Sequence, residues 1–263
     1  MEIAGYIASI LIGLSLGLIG GGGSILTVPV LVYLFGVNPT VATSYSLFIV
    51  GSTSLIGAIR KYAIGQVSMK TAQLFGITSV ITVLLTRRYI IPAIPENLGM
   101  VGGIILTKSM LTMVLFAILM LLASVSMIRG RKDAEEKEKP IDVVPLMMYG
   151  VGIGLVTGLL GAGGGFLIIP ALVLLARLPM KLAVGTSLTI IAIKSLIGFM
   201  GDIQTGQVID WGFLLFFTAL AVGGIFIGGY VSNYIPGKKL KSGFGWFVLF
   251  MSIFILTKEL LFQ

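Results

Sequence analysis

The chain has 263 residues, of which 57% are hydrophobic and 11% are charged, and its mean hydropathy is +1.09. A soluble domain could not keep so much apolar surface away from water, whereas helices that face lipid can expose it. Cys and His are absent and the net charge is +8. The sequence therefore excludes disulfides, thiolate nucleophiles and imidazole bases, and it predicts a multi-pass helical protein of the cell membrane.

Apolar runs with short polar breaks make up the first half of the chain. The first run, Ile3 to Ile19, has no basic residue before it, so we expect a helix of the mature protein rather than a cleaved signal peptide. It leads into the glycine cluster Gly20 to Ser24. A short helix is then predicted at Ile25 to Phe35, with Pro29 in its first turns. Three longer spans complete this half: Thr40 to Arg60, Met69 to Arg88 and Lys108 to Ile128.

The second half repeats the plan of the first. Helices are predicted at Val143 to Leu160, Phe166 to Ala176, Met180 to Met200, Trp211 to Tyr234 and Ser242 to Leu261. A shift of 141 residues aligns Ile12 to Val67 with this half, with 24 identities in 56 positions. Residues 129–141 are too polar for the membrane, so we expect a charged linker between a repeat at 1–128 and a repeat at 142–263. Each repeat is predicted to hold a Gly-broken helical hairpin and three transmembrane helices, in an all-α fold.

The basic residues discriminate between two topologies. If each Gly-broken segment crosses the membrane once, the two sides receive nine and eight Lys or Arg residues. If each segment is a hairpin, thirteen fall on one side and four on the other, with Lys194 inside the membrane. Basic residues concentrate on the cytoplasmic side. The sequence therefore predicts inverted repeats with a cytoplasmic linker and both termini outside, and it leaves open whether the hairpin arms cross fully.

The glycine clusters Gly20 to Ser24 and Gly161 to Gly165 are the first candidate site. Each consecutive glycine destabilises a helix by about 1 kcal/mol relative to Ala, so the backbone is expected to leave helical geometry there. The free N–H groups at the start of the next helix favour an anion. The alternative is close helix packing, which we favour for Gly13, Gly17, Gly154 and Gly158. The predicted substrate contacts are Gly21, Gly22, Gly23, Ser24, Gly163, Gly164 and Gly165.

Polar side chains on the next span of each half add further candidates. These are Ser46, Thr53, Thr186, Ser187 and Lys194. Hydrogen bonding between helices is an equal alternative for the hydroxyls. Lys194 lies in the middle of an apolar span, where a cation indicates a functional site, and the alternative is an ion pair with Asp202 or Asp210. The chain has no His, no Cys and no clustered carboxylates. We therefore do not expect enzymatic activity, a bound metal or a cofactor.

The segment GLIGGGGSILTVP followed by ATSYSL, and its copy GLLGAGGGFLIIP followed by AVGTSL, resemble the TauE/SafE family of sulfite exporters. The resemblance covers nearly the whole chain. It implies a membrane transporter that exports a small sulfur-containing anion, sulfite or an organosulfonate such as sulfoacetate. With the inverted halves, we expect the transporter to work by alternating access. A passive anion channel and a permease for another small carboxylate or sulfonate are the alternatives. The expected partners are the anion and the lipid bilayer, with no nucleic acid.

Overall fold

The computed structural model describes residues 2–21, 23–90, 93–95, 97–101, 104–129, 143–160, 165–203 and 209–261. These residues form ten helices and one β-hairpin. The helices of the first half are α1 (Glu2–Ile19), α2 (Gly23–Phe35), α3 (Pro39–Ala63), α4 (Met69–Leu85, continued by the π-helical turn Thr86–Ile90) and α5 (Lys108–Ile128). Those of the second half are α6 (Val143–Leu160), α7 (Gly165–Pro170, continued by the π-helical turn Ala171–Leu175), α8 (Met180–Ile203), α9 (Trp211–Tyr234) and α10 (Gly237–Leu261).

The helices account for the membrane character of the chain. Within the described part of the chain, five helical segments are long and apolar enough to cross a bilayer: Val41–Ala63, Met69–Ile90, Met180–Ile203, Trp211–Tyr234 and Gly237–Thr257. Large apolar side chains on their outer faces are exposed, as in Ile81 of α4 and Phe250 of α10. The prediction of a multi-pass helical membrane protein is confirmed. The predicted linker lies outside the described residues except for Arg129.

The helical fold class is confirmed, and a small β-hairpin between α4 and α5 is an addition that the sequence did not predict. Strand β1 (Asn97–Val101) pairs antiparallel with β2 (Ile104–Thr107), and Met100 lies opposite Ile105. Ile and Val are β-branched, which favours the extended backbone. Strands of four and five residues are too short to stand out as apolar runs of membrane-spanning length.

The chain reverses direction at the first glycine cluster. Helix α1 ends before Gly20, whose φ of +80° is a left-handed conformation that glycine adopts without strain. A Cβ on Gly23, the first residue of α2, would meet the Ile12 carbonyl oxygen one to two turns back in α1. At the other end of α2, the Phe35 ring packs edge-on against Tyr6 near the start of α1. α1 and α2 therefore form an antiparallel helical hairpin, and Pro29 lies in the second turn of α2.

Equivalent helices of the two halves make the same contacts. α1 packs along α9, and α6 packs along α4. A Cβ on Gly13 would meet the Ala221 carbonyl oxygen, and one on Gly154 would lie 2.7 Å from the Ser79 carbonyl oxygen. Gly13 aligns with Gly154 in the repeat, and Ala221 and Ser79 each lie ten residues after the start of their helices. The packing interpretation is confirmed for all four glycines at this spacing: Gly13, Gly17, Gly154 and Gly158.

α3 and α8 lie side by side at the centre and run antiparallel. The start of α3 contacts the end of α8, where Ser44 is bonded to Asp202. Near the middle, Gly51 lies against Leu196, and the end of α3 meets the start of α8 at Gly185. Both helices are more buried than α4, α9 and α10. The central pair therefore places the candidate site in the interior of the bundle.

Candidate functional site

A small cavity lies between α2, α3 and α8. Its polar lining consists of four hydroxyls, those of Ser24, Thr43, Ser46 and Ser195. Its apolar lining consists of Val28, Leu47, Val50 and Ile191. The cavity has a volume of about 20 Å³, which is room for about one water. A ligand larger than a water can enter only if the helices separate, so the cavity is closed in this conformation.

The first residues of α2 and α7 meet beside the cavity. A Cβ on Gly165 would lie 3.2 Å from the Ser24 hydroxyl and 2.9 Å from Ile191 Cδ1. Ser24 and Gly165 align with each other in the duplicated sequence. The Ser24 hydroxyl also donates to the carbonyl oxygen of Gly21, at 2.8 Å. The structure therefore brings together the helix starts from the two halves and three of the predicted contacts, Ser24, Ser46 and Gly165, with Gly23 at the start of α2. Gly22, Gly163 and Gly164 lie outside the described residues.

Ser187 and Thr186 lie at other contacts of α8. The Ser187 hydroxyl is fully buried and lies 3.1 Å from the Gly20 carbonyl oxygen, so it ties α8 to the first glycine cluster. Thr186 accepts a hydrogen bond of 3.0 Å from the backbone N–H of Ser68. Neither residue lines the cavity. Both contacts resemble the predicted alternative, hydrogen bonding between helices, although Gly20 and Ser68 lie just outside the ends of α1 and α4.

Thr53 and Lys194 occupy equivalent positions and differ in environment. Thr53 is fully buried, and its Oγ1 has no hydrogen-bond partner among the described residues. The Lys194 ammonium donates to Thr157 Oγ1 of α6, at 2.8 Å. Asp202 accepts from Ser44, and Asp210 accepts from the Phe213 N–H at the start of α9. Lys194 on α8 therefore contacts α6, the helix that leads into the second glycine cluster.

The structure also contains matched hydrogen bonds that the sequence analysis missed. The N–H of Asp210, just before α9, donates to the Tyr45 hydroxyl at 2.7 Å. The N–H of Ser68, just before α4, donates to Thr186 in the same way. Tyr45 and Thr186 are equivalent residues of the two repeats, and their alignment was the available signal. Each bond fastens one half to the other at opposite ends of the α3–α8 pair.

The two ends of this pair carry opposite charge. At the end where α3 begins, Ser44 Oγ donates to Asp202 Oδ2 at 2.6 Å, and we call this the acidic end. At the end where α3 finishes, the Lys61 ammonium donates to Gln66 Oε1 at 3.0 Å, and we call this the basic end. Lys61 and Asp202 are equivalent in the repeat. Aromatic rings also close the acidic end: Phe48, Phe199 and Trp211.

Comparison with known proteins identifies the family. The sequence profile described as sulfite exporter TauE/SafE matches residues 6–255. The chain belongs to the TauE/SafE family. The family assignment and the five apolar spans together establish a membrane transporter.

Relatives of this TauE/SafE protein are named as transporters. A probable membrane transporter protein of Xylella fastidiosa (strain 9a5c) is 29% identical over 256 residues, covering 95% of this chain and 92% of the relative. One from Methanocaldococcus jannaschii is 28% identical, covering 74% of this chain and 69% of the relative. The probable membrane transporter protein YdhB of Bacillus subtilis is 25% identical, covering 88% and 91%. No solved structure matches the chain.

Proposed function

We propose that this TauE/SafE transporter carries sulfite or an organosulfonate such as sulfoacetate out of the cell. The observation that carries the proposal is the hydroxyl-lined cavity at the starts of α2 and α7, where helices from both halves converge. An anion with several oxygens accepts hydrogen bonds from hydroxyls and from the free N–H groups of a helix start. The proposed contacts are the glycine clusters with Ser24, Ser46, Thr53, Thr186, Ser187 and Lys194.

The proposed topology is an inverted repeat with a cytoplasmic basic end. The antiparallel arrangement of α3 and α8 supports it, because parallel halves would orient these equivalent helices in the same direction. The reversal between α1 and α2 supports the hairpin form of the broken segment. The natural chain has no Cys, so single cysteines report sidedness. A cysteine at Lys239 should react with an impermeant reagent from the cytoplasmic face only, and one at Arg88 from the outer face only.

The matched ends support alternating access as the proposed mechanism. The cavity lies between the Tyr45–Asp210 bond at the acidic end and the Thr186–Ser68 bond at the basic end. Opening one bond while the other holds would expose the cavity to one side of the membrane at a time. A passive channel would need both to open together. Trans-stimulation by substrate separates the two mechanisms, because a carrier shows it and a pore does not.

The central test measures flux of sulfite and sulfoacetate in proteoliposomes. Ser24→Ala should lower the flux about tenfold, because it removes one hydrogen bond to a charged group. Ser252→Ala is the matched control: Ser252 is buried in α10 and makes the same local bond, to Leu249, that Ser24 makes to Gly21. Equal flux in both variants would remove Ser24 from the site. Absence of flux in the unmodified protein, with a carboxylate transported instead, would overturn the substrate class.

A further inference from the structure

Three cations cluster at the basic end of the bundle. Arg60 and Lys61 finish α3, and Lys181 begins α8. Each donates to an oxygen of a neutral group: Arg60 to the Phe226 carbonyl at 3.1 Å, Lys61 to Gln66, and Lys181 to the Asn233 carbonyl at 3.1 Å. A Cβ on Gly185, one turn after Lys181 in α8, would lie 3.1 Å from Lys61 Cβ. The cluster is therefore a local concentration of positive charge.

Lys61 is the unusual member of this cluster. Its side chain is only 4% exposed, although a lysine at a helix end can ordinarily extend its ammonium into water. Among the described residues, no carboxylate forms an ion pair with any of the three cations. Burying an unpaired charge is costly. An anion supplied from solution would compensate that charge.

A pocket of about 10 Å³ lies next to the cluster, so an oxyanion can enter it only when the surrounding side chains move apart. Its lining includes Arg60, Lys61 and Asn233, together with Gly17, Gly57 and Gly229, which have no side chains to fill it. Gly17 lies on α1, three residues before Gly20 of the first glycine cluster. The pocket and the cluster thus form one recess, and one wall of it continues to the start of the hairpin turn. We call this recess the basic vestibule.

We propose that the basic vestibule is a second anion-binding site, separate from the central cavity, that takes small oxyanions of the sulfonate and sulfate class. Lys61 is its central ligand, and Arg60 and Lys181 attract the anion electrostatically. The position equivalent to Lys61 in the other half is Asp202, so the acidic end lacks the counterpart of this site. That the vestibule delivers substrate to the transport site rests on the proposed function. That the vestibule binds an anion does not depend on the proposed function.

Because the chain has no cysteine, a thiol reporter measures the vestibule directly. Asn233→Cys places a thiol on the pocket wall and leaves intact the backbone carbonyl that Lys181 contacts. Its reaction rates with an anionic sulfonatoethyl methanethiosulfonate and with the cationic trimethylammonium analogue give the local potential. The ratio of the anionic to the cationic rate should fall about tenfold when Lys61→Gln is added. Lys239→Gln, an exposed charge at the same end, should change it by less than about twofold.

Protection by an unreactive anion tests binding itself. Sulfoacetate or sulfate should slow labelling of Asn233→Cys, and the protection should disappear with Lys61→Gln and return with Lys61→Arg. Monodispersity in gel filtration shows that each variant is folded. Equal protection in the Lys61→Gln and unmodified backgrounds would overturn the proposal, and so would an unchanged rate ratio. Flux in proteoliposomes is measured separately. Failure of the proposed transport would therefore leave the protection result valid, and failure of protection would leave a positive flux result valid.

Discussion

The Ser44–Asp202 hydrogen bond predicts how easily the acidic end opens. The bond measures 2.6 Å and joins the start of α3 to the end of α8. A hydrogen bond to a charged group contributes about 1.5–3 kcal/mol, and every 1.4 kcal/mol is a tenfold change in an equilibrium constant. If the bond is present only while this end is closed, Ser44→Ala increases the open fraction about tenfold or more.

A single cysteine in the cavity measures this change. Val50 lines the cavity and is 2% exposed, so Val50→Cys reacts only when an end opens. In reconstituted protein, adding Ser44→Ala should raise the labelling rate from the acidic end about tenfold for an impermeant reagent. Labelling from the basic end should not rise. Asp202→Asn keeps a weaker bond and should give a smaller increase.

The control and the refuting results are specific. Ser252→Ala removes a buried hydroxyl of α10 that bonds only within its own helix, and it should leave the labelling rates unchanged. Rates within twofold of each other with and without Ser44→Ala would show that the bond does not hold the acidic end closed. If Ser44→Ala instead raised the labelling rate from the basic end, the bond would not be controlling access to the cavity from the acidic end.

Three further predictions concern packing and the site. Gly13→Val should lower the unfolding temperature in detergent, because the new Cβ would overlap the Ala221 carbonyl. The free energy of unfolding should fall by about 3 kcal/mol or more. Gly223→Ala, with open space around it, should leave the unfolding temperature unchanged. Thr53→Val should leave stability unchanged or raise it, because it removes a buried hydroxyl that has no hydrogen-bond partner among the described residues. Substrate flux should fall, and unchanged flux would exclude Thr53 from the site. Lys194→Ala should lower flux about tenfold and Lys194→Arg should retain it, whereas equal loss in both would indicate a packing role.

The duplicated sequence predicted most of the architecture because glycine, proline and apolar length act locally. The runs at Met180 and Trp211 begin helices where predicted, and α9 ends at the predicted Tyr234. The glycine cluster breaks the chain between α1 and α2 because a left-handed residue is needed at Gly20. The β-hairpin at 97–107 was missed because its strands are too short to form a membrane span.

The candidate site was less predictable because it depends on contacts between the halves. Ser24 and Ser46 meet at one cavity although they belong to different helices. Thr186 also carries a hydroxyl, but that hydroxyl contacts Ser68 instead. Sequence spacing gives the face of a helix and not the partner across it. Lys61 was assigned only to the cytoplasmic charge excess, and its burial could not be deduced from position alone.

Opposite charges at equivalent positions, Lys61 and Asp202, make the transporter asymmetric without setting the direction of net transport. Fixed charges alter how tightly each end holds an anion, but without coupling the free energy for net movement comes from the anion gradient and the membrane potential. Moving one negative charge out of a cell with a negative interior is favourable by about 2.3 kcal/mol per 100 mV, roughly a 50-fold concentration ratio by the tenfold-per-1.4 kcal/mol relation. The proposed export therefore needs no proton relay in the spans. The proposed basic vestibule would then have a kinetic role: it would raise the local anion concentration on the proposed cytoplasmic side, from which the potential drives the substrate out.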